Sequence, residues 1–116
     1  MTTNRKRKRT ARQAAPEMGD DLRITKTSRR ASGAGTWVIG TVAGHRFDAL
    51  VFPEHADCPE FELGTSRISK LWVKRLADEK TVVNFDRGWD IRPVDATAAA
   101  IVDFLAAGLA DLTYPK

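Results

Sequence analysis

Trp37 to Val42 and His45 to Phe52 are two runs rich in β-branched and aromatic residues, separated only by Ala43-Gly44. A two-residue hairpin loop fixes both the pairing and the facing of everything beside it. Val42 then pairs with His45, Gly40 with Phe47 and Val38 with Ala49. Side chains alternate along a strand, so Val38, Val42, Phe47, Ala49 and Val51 share one face, the expected core. Gly40 opposite Phe47 leaves room for the ring to lie across the neighbouring strand. Trp37, Ile39, Leu50 and Phe52 fall on the second face, while Thr41, Arg46 and Asp48 keep the turn end polar.

Beyond Pro53 to Pro59, a loop without periodicity, Arg67 to Leu76 reads as a third strand and Thr81 to Phe85 as a fourth. Asp78-Glu79-Lys80 connects them as a second hairpin, and Asp86-Arg87-Gly88 closes the fourth as a turn. Asp95 is a good N-cap for a helix over Ala96 to Leu109, whose Ile101, Val102, Leu105 and Leu109, with Leu112 beyond, fall on one stripe. Strands followed by one helix give an α+β domain, a small antiparallel sheet of about four strands with the helix covering one face. Leu22 to Thr25 could add a short strand, with Ser28 to Gly35 as linker. The expected division is a disordered basic tail and linker over 1–33 and a single domain over 34–116.

The charge is divided along the same line. Ten of the nineteen basic residues precede Thr36 against three acids, a formal +7, while residues 36–116 carry nine bases and twelve acids, a formal −3. Arg5, Lys6, Arg7, Lys8 and Arg9 form an unbroken run, with Arg12 following. Such an arm can neutralise several phosphates and release their counterions without reading sequence, which makes DNA or RNA the expected partner of the tail. No aromatic residue lies between positions 1 and 35, so stacking on bases would have to come from the domain. A single cysteine, Cys58, excludes an intramolecular disulfide and suits a cytoplasmic protein. The apolar stretch Ala96 to Leu112 is interrupted by Asp103 and Asp111 and falls short of the roughly 20 residues that span a bilayer, so no membrane segment is expected.

The blocks W-x-I-G-T-V-x-G-x-x-F-x-A-x-V-F (Trp37 to Phe52), S-R-I-S-K-L-W (Ser66 to Trp72) and F-D-R-G-W-D (Phe85 to Asp90) resemble a family of small uncharacterised bacterial domains associated with phages and other mobile elements. The resemblance covers about residues 36–92 and implies a fold-sized domain of unknown function, with no catalytic residue or cofactor to carry over.

Few residues suggest chemistry. His55, Asp57, Cys58 and Glu60 cluster in the proline-bounded loop, but His-x-x-Cys is half of a zinc set and the other half is missing, so no metal is expected. Gly33-Ala34-Gly35-Thr36 precedes a strand and lacks the Gly-Lys-Ser/Thr ending of a phosphate loop. Asp86-Arg87-Gly88-Trp89-Asp90 reads first as a strand end, with Trp89 on the sheet margin and Arg87 pairing with an acid; a recognition patch is the sharper reading, since Trp and Arg are enriched at interface hot spots. In the third strand Trp72 points with Lys70 and Lys74, away from Leu71 and Val73, which makes a half-apolar second face rimmed by cations. The sequence therefore points to a non-enzymatic binding protein without cofactor. Nucleic acid is held by Arg5 to Arg9 and Arg12, and a protein partner or second copy is met by Trp72, Lys70, Lys74, Arg87 and Trp89. The alternative is a mobile-element inhibitor or accessory factor acting on a host nucleic-acid-processing system.

Overall fold

The computed structural model describes residues 18–115. The arm residues 5–9 and 12, and the disorder expected of them, lie outside the described residues. Six strands form one antiparallel sheet in sequence order: β1 (Arg23–Arg29), β2 (Thr36–Val42), β3 (His45–Val51), β4 (Ile68–Arg75), β5 (Lys80–Asp86) and β6 (Trp89–Ile91). Helix α1 (Ala96–Thr113) follows and packs against β2, β3 and β4, so the fold is α+β.

The β2–β3 hairpin has the expected register: Val42 faces His45, Gly40 faces Phe47 and Val38 faces Ala49. Ala43 and Gly44 take φ of 51° and 72°, the left-handed pair that matches a two-residue hairpin loop to strand twist. Val38, Val42, Phe47, Ala49 and Val51 are all buried and continue through Leu71, Val73, Val83 and Phe85 into one core under α1. Val82 is buried beside Val83 because a bulge lies between the pairs Val73–Val83 and Lys74–Thr81, and the extra residue breaks the two-residue period.

Asp95 caps α1, its carboxylate accepting from the Ala98 amide at 2.8 Å. At the other end Tyr114 and Thr36 share a hydroxyl hydrogen bond of 2.7 Å, which ties the helix C-terminus to the start of β2. By length and composition α1 could cross a membrane; in this fold Ala98, Ile101, Val102, Leu105, Leu109 and Ala110 are buried against the sheet. Leu112, expected on the stripe, is 62% exposed. The last turn of α1 has reached the end of the sheet marked by Thr36, and there Tyr114 packs on the core in its place.

The sheet has more strands than the four expected. Ser28 and Arg29, read as linker, belong to β1, which lies within the span assigned to the tail. β1 is exposed along its whole length and joins the sheet through its ladder with β2. A turn at residues 18–21 precedes it. Met18 and Leu22 pack on the core, and the Asp21 carboxylate accepts from the Ala43 amide at 3.1 Å.

Candidate nucleic-acid interface

The face of the sheet opposite α1 is set by the ladder. Ser28, Trp37, Leu50, Lys70 and Asp86 form one row across it, and Lys26, Ile39, Asp48, Trp72 and Asn84 the next. Arg23, Thr41, Arg46 and Lys74 form the third. Arg23 and Lys26 share this face despite their spacing of three, because the bulge at Thr25 inserts one extra residue between their pairs.

The inner cations of the face each have an acid. Arg46 meets Asp48 at 3.0 Å, Lys74 meets Glu79 at 3.5 Å, and Lys70 meets Asp86 at 3.6 Å. On β1 and the loop after it, Arg23, Lys26, Arg29 and Arg30 have no ion-pair partner among the described residues. Of the strand cations only Lys80, at the start of β5, shares this lack, so most of the sheet's unpaired cations lie along its first edge.

Trp72 is half-buried on the open face; its indole N–H donates to Thr81 Oγ1 at 3.1 Å, and Lys74 lies 5.8 Å from its ring centre. Trp89 lies on the other side. It pairs with Phe85, meets that ring edge-on at 5.2 Å and packs on the core, with Arg92 over it at 5.5 Å. The five residues of the expected partner patch are therefore divided: Lys70, Trp72 and Lys74 share the open face, Arg87 sits at the end of the sheet, and Trp89 belongs to the helix side.

At that end lies a cleft of about 760 Å³ between the β1–β2 loop, the loop at 53–62 and the β5–β6 turn. Trp37 and Leu50 line it from the sheet. Arg30 lies over Phe52 at 5.8 Å, and Arg87 over Phe61 at 5.9 Å, so each of these two rings in the cleft wall carries a guanidinium. Gly35 has φ +111°, and a Cβ there would come within 3.1 Å of Arg30, 3.2 Å of Phe52 and 3.3 Å of Leu50; glycine lets the loop close onto the sheet. A shallower hollow lined by Trp72 shares Trp37 and Lys70 with the cleft, making one depression along the face.

Glu62 holds the far wall. Its side chain is only 4% exposed, and it accepts from His55 Nδ1 at 2.7 Å, the Ala56 amide at 2.7 Å and the Arg67 amide at 2.9 Å. Burial pushes its carboxyl up, but these donors together outweigh burial and hold it below the usual carboxylate range. His55 is thus engaged by Glu62, not by Asp57, Cys58 or Glu60, and no cluster of three metal-ligating groups occurs among the described residues. Arg67 braces the same loop, donating to the Pro53 carbonyl at 2.9 Å and to Asp111 at 2.8 Å.

Sequence reasoning had passed over Arg30, Phe52, Phe61 and Glu62 as site residues. A Phe-Glu pair in an otherwise polar loop was the available signal for the last two.

A family model described as a domain of unknown function (DUF7678) matches residues 36–110. The chain belongs to that family. No curated protein and no solved structure matches it. The DUF7678 span opens on the first residue of β2 and runs into α1, so it contains most of the cleft, whereas β1 with its three cations, and Arg30 after it, precede it.

Proposed function

We propose that this DUF7678 protein is a non-enzymatic nucleic-acid-binding protein of the cytoplasm. Its arm, through Arg5 to Arg9 and Arg12, binds phosphate without reading sequence, and its sheet face takes the rest of the contact. The observation that carries the reading is the edge of cations at Arg23, Lys26, Arg29 and Arg30. They lack acidic partners among the described residues and follow the arm in sequence; Arg23 and Lys26 share the open face with Trp37 and Trp72, while Arg29, opposite Thr36, is on the helix side of the same edge. Cations without acids retain the charge that displaces counterions from a polyanion, whereas paired ones such as Arg46 contribute less. Aromatic side chains beside a positive edge add stacking that charge alone does not give.

The test is fluorescence anisotropy of a labelled oligonucleotide with the full chain and with a chain lacking residues 1–12. The reading expects the deletion to weaken binding strongly and to leave a smaller affinity due to the edge. Undiminished binding after deletion would assign contact to the body alone. No binding by either chain would remove the reading and leave an accessory or inhibitor protein that works by meeting another protein.

A further inference from the structure

We propose that the cleft at the end of the sheet is a subsite for one unpaired base of a single-stranded nucleic acid. Phe52 and Phe61 are its stacking surfaces, and Arg30, Lys70 and Arg87 hold the adjoining phosphates. This rests on the nucleic-acid reading above and adds a preference for single strands that a charged arm does not supply.

Three observations converge on it. Phe61 is 44% exposed in the wall of a cleft of about 760 Å³, a volume within the usual range for small-molecule sites. A base inside a duplex has both faces stacked, so only an unpaired base can offer a face to such a ring.

The charge is one-sided. Lys70 and Arg87 approach the same oxygen of Asp86, at 3.6 and 3.8 Å, and Arg30 has no acid among the described residues. Three cations thus face one carboxylate on the side of the β1–β2 loop and the β5–β6 turn. The opposite wall carries the exposed acids Glu54 and Asp57, and its arginine, Arg67, is largely buried and engaged by Asp111 and the Pro53 carbonyl. A strand lying across the cleft is therefore oriented, with its phosphates on the Arg30, Lys70 and Arg87 side and its base turned inward.

The walls are also set before any ligand arrives. Both Glu62 oxygens accept from donors of its own loop, so Glu62 builds the wall and leaves base contact to its neighbours. His55, held through Nδ1 by Glu62, lines the cleft with its side chain 62% exposed.

The experiment uses the full chain, a homopyrimidine single strand, the same strand with abasic sites, and a duplex, all at one salt concentration. Phe61→Ala removes an exposed ring and no charge; Arg87→Ala serves as a second variant, and thermal melts show that both remain folded. Stacking on one base predicts that Phe61→Ala weakens the single strand by about five- to 150-fold, with less than about twofold change for the duplex or the abasic strand. Arg87→Ala should weaken the normal and abasic single strands alike. If the wild-type chain binds all three nucleic acids equally and Phe61→Ala changes nothing, the cleft inference fails while the charge-based reading stands. If the wild-type chain binds none, both fail.

Discussion

Phe47 lies across Gly40: a Cβ placed on Gly40 would stand 2.8 Å from Phe47 Cζ and 2.4 Å from the carbonyl oxygen of Arg23. The missing side chain serves two neighbours at once, seating the fully buried Phe47 ring and letting β1 approach β2. Gly40→Ala is therefore expected to destabilise the fold by about 1–3 kcal/mol and to loosen β1, since backbone does not yield as a flexible side chain does. Phe47→Ala should cost about 3–5 kcal/mol through the cavity it leaves, enough to unfold so small a domain. Thermal melts check both, and protease sensitivity within 23–35 checks the fate of β1. A Gly40→Ala chain that melts like the wild type would contradict the packing.

Glu62 should give the acid side of the stability curve part of its slope. Its folded carboxyl lies below the ordinary value, so the charged form stabilises the fold above the ordinary carboxylate range, and that contribution is lost as pH falls through the folded value. Glu62→Gln is expected to cost about 1–3 kcal/mol near neutrality, because buried donors lose a charged acceptor. The two melting temperatures should converge on acidification. Asp78 and Asp95, also held below their ordinary range, act in both chains and cancel from the comparison. A gap between the two chains that stays constant with pH would show that Glu62 acts by shape alone.

Removing residues 1–21 should lower the melting temperature more than removing 1–17. The longer deletion takes Met18 from the core and the Asp21 carboxylate from the Ala43 amide at the hairpin loop. Coincident melts of the two truncated chains would mean that the turn at 18–21 contributes nothing.

What could be read from the sequence depended on which signals are local. The β2–β3 register was legible because a two-residue loop leaves one pairing, and the start of α1 because Asp95 caps it; the helix runs on past the expected Leu109 to Thr113. β1 was legible only in part: exposed on both faces, it carries no apolar alternation beyond Leu22 and Ile24, so its second half looked like linker. Val82 beside Val83 defeats a period of two because of a bulge that only the partner strand reveals. The cleft was hidden for a similar reason. Arg30, Phe52, Phe61 and Arg87 come from four separate segments, and the Glu62 contacts join positions 55, 56 and 67 across an irregular loop.

The central claim, that charge from the arm and the β1 edge holds nucleic acid, is tested most directly by the salt dependence of binding. The full chain is titrated with two single strands of unrelated sequence across a series of salt concentrations. Six arm cations, each worth about 0.7 in the log-log slope on a single strand, predict a slope of about −4 or steeper. Replacing Arg23, Lys26, Arg29 and Arg30 by Ser should make the slope shallower, and the two sequences should bind alike. A flat slope, or a strong preference for one sequence, would contradict the account.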